Sequence, residues 1–349
     1  MSMLADRVDY VIGVDTHRDS HSAAICSPNG AVTAETTVTA DTGGYRRLLR
    51  FAREQAAGRR VWAVEGTGSF GAGLTTALLE QGEWVVEVDR PARPARRNGA
   101  KSDELDATRA AREALCRPHL AQPRRRGDRE ALRVLLATRE SAVIARTKAI
   151  AQLKALIVNA PGTLRQQLRT LNSDQQLARC ARLRASAAQT TEQRATIIAL
   201  RSTARRALAL QAEAAELEAL LRPLVRQLAP ALLAKPGVGV ITAAQLLSSW
   251  SHPGRFRSEA AFASLAGVAP IPASSGQLIR HRLNRGGDRQ LNRALHTIAL
   301  SRLSHHPETR CYATRRANEG KTPREIKRCL KRHLARRLYR LLEASATTA

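Results

Sequence analysis

The stretch YVIGVDTHRDSHSAAICSPNGAVTAETTVTA, residues 10–40, decides the fold class of the front of this chain. Residues 10–14 are a short apolar run closed by Asp15, which predicts a buried strand. Residues 22–26 and 31–40 flank Ser27-Pro28-Asn29-Gly30, a strong turn sequence, so a hairpin follows. Working outward, residues 44–55 have helical character and residues 60–65 (RVWAVE) predict another short strand, with residues 66–73 breaking away from its end. Residues 74–81 predict a helix, 84–88 a strand, and 102–115 a helix with Ser102 as N-cap. Three early strands followed by strand–helix alternation predict a mixed α/β sheet over residues 1–122.

Behind that domain the pattern becomes helical. Arginine-rich residues 123–129 mark a linker, after which Leu136, Val143, Ile150 and Ile157 recur at steps of seven. Leu210, Leu217 and Leu224 do the same. Two long helices within 123–229 fit an antiparallel coiled coil, a seam offered to another subunit, or an ordinary helical hairpin. Residues 230–349 form a third, mainly helical region, with a loop-rich stretch at 267–288. Thr322, Pro323 and Glu325 supply N-cap, first-turn proline and capping-box partner for a last helix. Its apolar stripe is Ile326, Leu330, Leu334, Leu338 and Leu342, and its opposite face is lined with Arg and Lys that could grip RNA or DNA.

The charge follows the same division. The 349 residues include 57 Lys and Arg against 30 Asp and Glu, a net of +27. Residues 1–119 hold 16 of each sign, so the entire excess lies behind them and points to a polyanionic partner. Aromatic residues are only 3%, which argues against a single-strand reader built on stacking platforms. Phosphate neutralisation and shape recognition remain. Five cysteines are scattered without a CxxC pair, which suits a reducing compartment and provides no zinc site. No secretory leader or membrane-length apolar run is present, so a soluble cytoplasmic protein is expected.

Four carboxylates stand out by position. Asp15 ends the first strand, Glu65 ends a later one, and Asp103 and Asp106 lie three apart on one helix face. Such a cluster would repel itself unless hard cations neutralised it. Two Mg²⁺ ions about 4 Å apart would do so and could promote attack on a phosphodiester. Taken singly, each carboxylate is an ordinary strand-end or first-turn acid. His17, Asp19 and His21 alternate beside Asp15 and could join a metal site; the preferred reading is the exposed face of a strand.

Three segments, IGVDTHRDSHSAAI, VWAVEGTGSFG and AKSDELDATRAA, resemble the RuvC-like domain of the bacterial insertion-sequence DEDD transposases, the bridge-RNA-guided serine recombinases. PGVGVITAAQLL, RFRSEAAFASLAGVAP and PASSGQLIRHRLNRGGDRQLNRAL are similar to that family's C-terminal transposase domain. The resemblance implies a ribonuclease-H-like first domain, with Asp15, Glu65, Asp103 and Asp106 as the metal-binding set. It also implies a serine nucleophile that forms a covalent phosphoserine intermediate with DNA. Further implications are a composite site in a homo-oligomer, dimer or tetramer, and a structured bridge RNA that pairs with donor and target DNA.

The family motif places the nucleophile directly before a glycine, which is Ser275, with Ser274 an adjacent competitor. A serine hydroxyl needs activation, and the metal cluster is the plausible activator. Arg280, Arg282 and Arg285 follow closely and could hold the scissile phosphate, with His281 a candidate for proton transfer. Gly237 and Gly239 in Pro236-Gly237-Val238-Gly239 suggest a helix-hairpin-helix contact to a phosphate. The competing readings are a RuvC-like hydrolytic nuclease that resolves branched DNA, and a non-catalytic nucleic-acid-binding protein.

Overall fold

The computed structural model describes residues 3–88, 103–117, 120–123, 126–273, 281–282 and 284–347. The chain forms two compact units, Met1–Arg125 with Ser251–Arg257, and Arg126–Trp250 with Ser258–Ala349.

The first unit is mixed α/β. After a 3₁₀ turn at Leu4–Asp6 come β1 (Tyr10–Thr16), β2 (Ser20–Cys26), β3 (Val32–Thr39), α1 (Thr42–Gln55), β4 (Arg60–Glu65), α2 (Ala72–Glu80), β5 (Val85–Val88) and α3 (Asp103–Cys116). The sheet order is β3-β2-β1-β4-β5. β1 runs antiparallel to β2 and parallel to β4, which in turn runs parallel to β5. This five-stranded mixed sheet is compatible with a ribonuclease-H-like architecture. Ser102, expected to cap α3, lies outside the described residues.

Both faces of the central strands are covered, which is why β1 and β4 read as nearly continuous apolar runs. Ile12, Val14, Trp62 and Val64 pack with Leu48 of α1 and with Leu74 and Leu78 of α2. Val11, Val61, Ala63, Val86 and Val88 pack instead with Ala111, Ala114 and Leu115 of α3. Gly13 controls how close α3 comes. A Cβ there would lie 2.0 Å from the Ala107 carbonyl oxygen and 2.6 Å from the Ala111 nitrogen, so the helix rests directly on the backbone of β1.

The second unit is helical: α4 (Asp128–Val158), α5 (Gly162–Arg169), α6 (Ser173–Ala181), α7 (Thr191–Leu228), α8 (Pro230–Leu233), α9 (Val240–Trp250), α10 (Glu259–Leu265), a short pair β6 (Ile271–Pro272) and β7 (His281–Arg282), then α11 (Arg289–His305), α12 (Pro307–Asn318) and α13 (Pro323–Thr347). α4 and α7 form an antiparallel pair within the chain, tied by Arg139 to Glu218, Arg146 to Gln211 and Arg206 to Gln152. Leu136 and Ile157 are buried as their repeat suggests, but Val143 and Ile150 are only half-buried. On α7 the buried seam is Ala207, Ala214 and Leu221, while Leu210, Leu217 and Leu224 flank it half-buried. The seven-residue period is real, but its buried register lies three residues before the leucines at 210, 217 and 224, which flank it.

The terminal helix follows its sequence closely. The Thr322 N–H donates to Glu325 Oε2 at 2.8 Å and the Glu325 N–H to Thr322 Oγ1 at 3.4 Å, the reciprocal capping box. All five residues of its apolar stripe are buried. Among the described residues, no helix is long and apolar enough to cross a membrane.

Candidate active site

The geometry of the acidic site follows from strand parity and helix phase. Side chains alternate across a sheet, so Val11, Gly13 and Asp15 share one face of β1, and Val61, Ala63 and Glu65 share one face of β4. Val11, Val61 and Ala63 pack against α3, which assigns Asp15 and Glu65 to the α3 side as well. The parallel register pairs Val14 with Val64, so Asp15 and Glu65 are the next pair beyond it, at the C-terminal ends of adjacent strands. The Thr16 hydroxyl donates to the Glu65 carbonyl at 2.9 Å and fixes the two ends together. Asp103 and Asp106 occupy the first turn of α3. Gly13, by letting α3 sit on β1, is what allows that turn to approach Asp15.

The electrostatics show the crowding. Asp15 is 8% exposed. Burial pushes its carboxyl above the usual range, opposed by His17 and reinforced by the negative charges of Asp106 and Asp103. Asp106 also forms an ion pair with Arg109 one turn on, at 2.5 Å.

His17 is the residue that sequence reasoning misplaced. β1 ends at Thr16, so His17 and the exposed Asp19 lie in the connection to β2 and not on a strand face. His17 Nε2 stands 3.1 Å from Asp15 Oδ2 and 3.3 Å from Asp103 Oδ1, joining the acidic cluster. His21 is on β2 but fully buried, stacked on Tyr45 with ring centroids 5.7 Å apart. A two-residue alternation resembles a strand, but the chain leaves the sheet between the two histidines and sends their rings to different places. The signal for His17 was its place just past the strand carrying Asp15.

Asp15, His17 and Asp103 each offer one ligand atom, all within 4.8 Å of one another. Two carboxylate oxygens, one of them from a carboxyl whose ionised form is disfavoured, and an imidazole nitrogen suit a divalent cation. The remaining expected site residues belong to the second unit. Ser274, Ser275 and Arg280 lie outside the described residues. Arg282 on β7 and Arg285 beyond it are exposed. Gly237 has φ +80°, and a Cβ there would meet the Ile298 carbonyl oxygen at 3.0 Å, so this turn packs tightly on α11. A Cβ at Gly239 would meet nothing within 4 Å. The Gly239 N–H donates to Thr242 Oγ1 at 2.9 Å. The helix before this turn, α8, is a single four-residue turn.

A mixed sheet whose two central parallel strands carry acids to the first turn of a covering helix is compatible with a ribonuclease-H-like transposase domain. Residues 12–160 match the DEDD transposase family of IS110, and residues 229–314 match the transposase family IS116/IS110/IS902. An uncharacterized 43.6 kDa protein of insertion element IS110 from Streptomyces coelicolor is 41% identical over 109 residues, which cover 31% of this chain and 26% of that protein. An uncharacterized 42 kDa protein of insertion element IS900 from Mycobacterium paratuberculosis is 26% identical across 96% of each chain. The chain belongs to the IS110 family of DEDD transposases.

Proposed function

We propose that this protein is the transposase of a bacterial insertion sequence, cleaving and rejoining DNA strands in the cytoplasm through a phosphoserine intermediate. The observation that carries this reading is the gathering of Asp15, Asp103 and Asp106 at one end of β1, in a chain whose front and rear both match transposase families. The front domain, residues 1–122, takes the ribonuclease-H-like role. Residues 123–229 serve as the helical coiled-coil connector, and residues 230–349 as the serine-bearing domain. Asp15, Glu65, Asp103 and Asp106 are the residues to hold Mg²⁺, with His17 beside them. Bound there, Mg²⁺ supplies Lewis-acid stabilisation of charge that develops on phosphodiester oxygens.

The chain's own residues do the rest. The Ser275 hydroxyl gives up its proton as its oxygen bonds to phosphorus, and one strand oxygen leaves and takes up a proton. Phosphoserine is an ester like the bond it replaces, so attack by a strand hydroxyl reverses the step without an external energy source. Arg280, Arg282 and Arg285 neutralise charge on the phosphate, and Gly237 and Gly239 mark a further DNA contact. A homo-oligomer, dimer or tetramer, and a bridge RNA that pairs with donor and target DNA complete the reading.

The decisive experiment is an adduct assay on labelled DNA with Mg²⁺. Ser275→Ala is expected to abolish the covalent protein–DNA species while leaving DNA binding intact. Persistence of the adduct in both Ser275→Ala and Ser274→Ala rules out the serine step. Free 5′-phosphate ends with no adduct in the unaltered protein would support hydrolytic cleavage of branched DNA instead.

A further inference from the structure

The terminal helix α13 distributes its cations in two distinct ways. Arg336 and Arg340 both pair with Glu259 at the start of α10. One to two turns earlier, Arg328, Lys331 and Arg332 form no ion pair with a carboxylate among the described residues, and neither does Arg282 on β7; the nearest acid along the helix, Glu325, is engaged in the α13 capping box and feels the charge of Arg328. These four, with His281, line a cavity of about 140 Å³ whose floor is the chain at residues 267–270. Residues 274–280 and 283, which lie outside the described residues, contain no Asp or Glu. Asp288, the next acid along the chain, is engaged in capping α11 and in accepting from Ser249.

Lys331 is held in place and does not trail in solvent. Its Nζ donates to Asn292 Oδ1 at 2.8 Å, and the Asn292 side-chain amide donates to the Ala266 carbonyl at 2.7 Å. Burial, and then the charge of Arg328, hold the Lys331 ammonium below its ordinary range. Lys331 is half-buried while Arg282, Arg328 and Arg332 are exposed, so like charges converge at the mouth of the cavity, an arrangement that attracts an anion. The size restricts which anion, because 140 Å³ is well below the ~300–1,000 Å³ of pockets that enclose whole drug-sized ligands. A single tetrahedral oxyanion fits that space and a nucleoside does not.

The geometry points to a backbone-phosphate pocket, formed by Arg282, Arg328, Lys331 and Arg332, that holds one DNA phosphate at the base of the hairpin β6–β7. The choice of DNA rests on the serine reading, because Ser274 and Ser275 lie in the chain between paired Pro272 and His281. Arg328 and Arg332 are the positioning cations from α13, and Lys331 is the fixed point between them.

The test uses the full-length protein and the salt dependence of binding to a labelled DNA duplex, with an RNA duplex of the same sequence in parallel. Losing one phosphate contact lowers the slope of log affinity against log salt by about 0.9 on duplex DNA. Arg328→Gln/Arg332→Gln is expected to lower the DNA slope by about that amount and to weaken binding roughly tenfold at moderate salt. Charge-retaining Arg332→Lys is expected to keep the wild-type slope. If the double variant melts early, the two single variants take the same readout. An unchanged DNA slope, or a loss confined to the RNA duplex, overturns the pocket. The adduct assay is independent of this measurement: persistence of the adduct without Ser275 and Ser274 sinks the serine reading while the slope still reports on the pocket.

Discussion

The acid-tipped end of the sheet and the cationic pocket of α13 face the same physical problem with opposite signs. In the first unit, Asp15, Asp103 and Asp106 are brought together until their mutual repulsion, added to burial, resists ionisation of Asp15. In the second, Arg328, Lys331 and Arg332 are held around one cavity without a carboxylate among the described residues. By comparison, Glu259 balances Arg336 and Arg340 on the same helix. At the acidic site and at the pocket, the missing counter-charge is read as a ligand, a divalent cation in one case and a phosphate in the other. The two also differ in construction. The acidic site is built on strands and a helix resting on backbone, whereas the basic pocket is lined by long side chains from a helix surface and a hairpin.

The strongest way to break the comparison is at Asp15. Asp15→Asn is expected to lower Mg²⁺-dependent cleavage by about 10³-fold, equivalent to roughly 4 kcal/mol of transition-state stabilisation. It should leave duplex affinity intact. The same variant should melt higher than wild type without metal at neutral pH. A raised folded pKa means that stability is full below the unfolded value, near 3.9, and is lost as pH rises through the folded one. Removing the charge removes that loss. A lower melting temperature would show that the carboxylate is a structural element.

Next in size is the support beneath the acids. Gly13→Ala drives a Cβ into the backbone of α3, where no side chain can yield. Denaturant melts should show about 3 kcal/mol of destabilisation, the upper part of the range for overpacking. Calorimetry should show weaker Mg²⁺ binding, because the first turn of α3 moves with the helix. Wild-type metal affinity in a destabilised Gly13→Ala protein would separate helix packing from the site.

The smallest effect sharpens the basic side. Glu259→Gln releases Arg336 and Arg340, extending the unpaired cations along α13. DNA binding should tighten a few-fold with a steeper salt slope, by about 0.9 for each new phosphate contact. An unchanged slope would mean that those two arginines stay out of reach of the duplex.

Much of this was legible beforehand because it depends on local pattern. Short apolar runs placed β1 and β4, the capping box at Thr322 and Glu325 started α13, and its four-step stripe was buried as read. The four carboxylates could be chosen because each sits at the end of an element. The repeat on α7 misled by three residues, since period shows that a seam exists but not which residues line it. His17 was lost for a related reason: spacing of two residues carries no information on where a strand stops.

The sequence alone determined the element order, the division between a neutral front and a basic rear, and the identity of the candidate acids. These properties follow from composition and short-range periodicity, which the chain carries before it folds. Tertiary structure alone decided that Gly13 permits α3 to touch β1, that His17 turns toward Asp15 and Asp103, and that Glu259 neutralises one turn of α13 while leaving the previous one bare. Each of these depends on residues far apart in the chain meeting at a few ångströms, and contact at that range is a property of packing that no local pattern encodes.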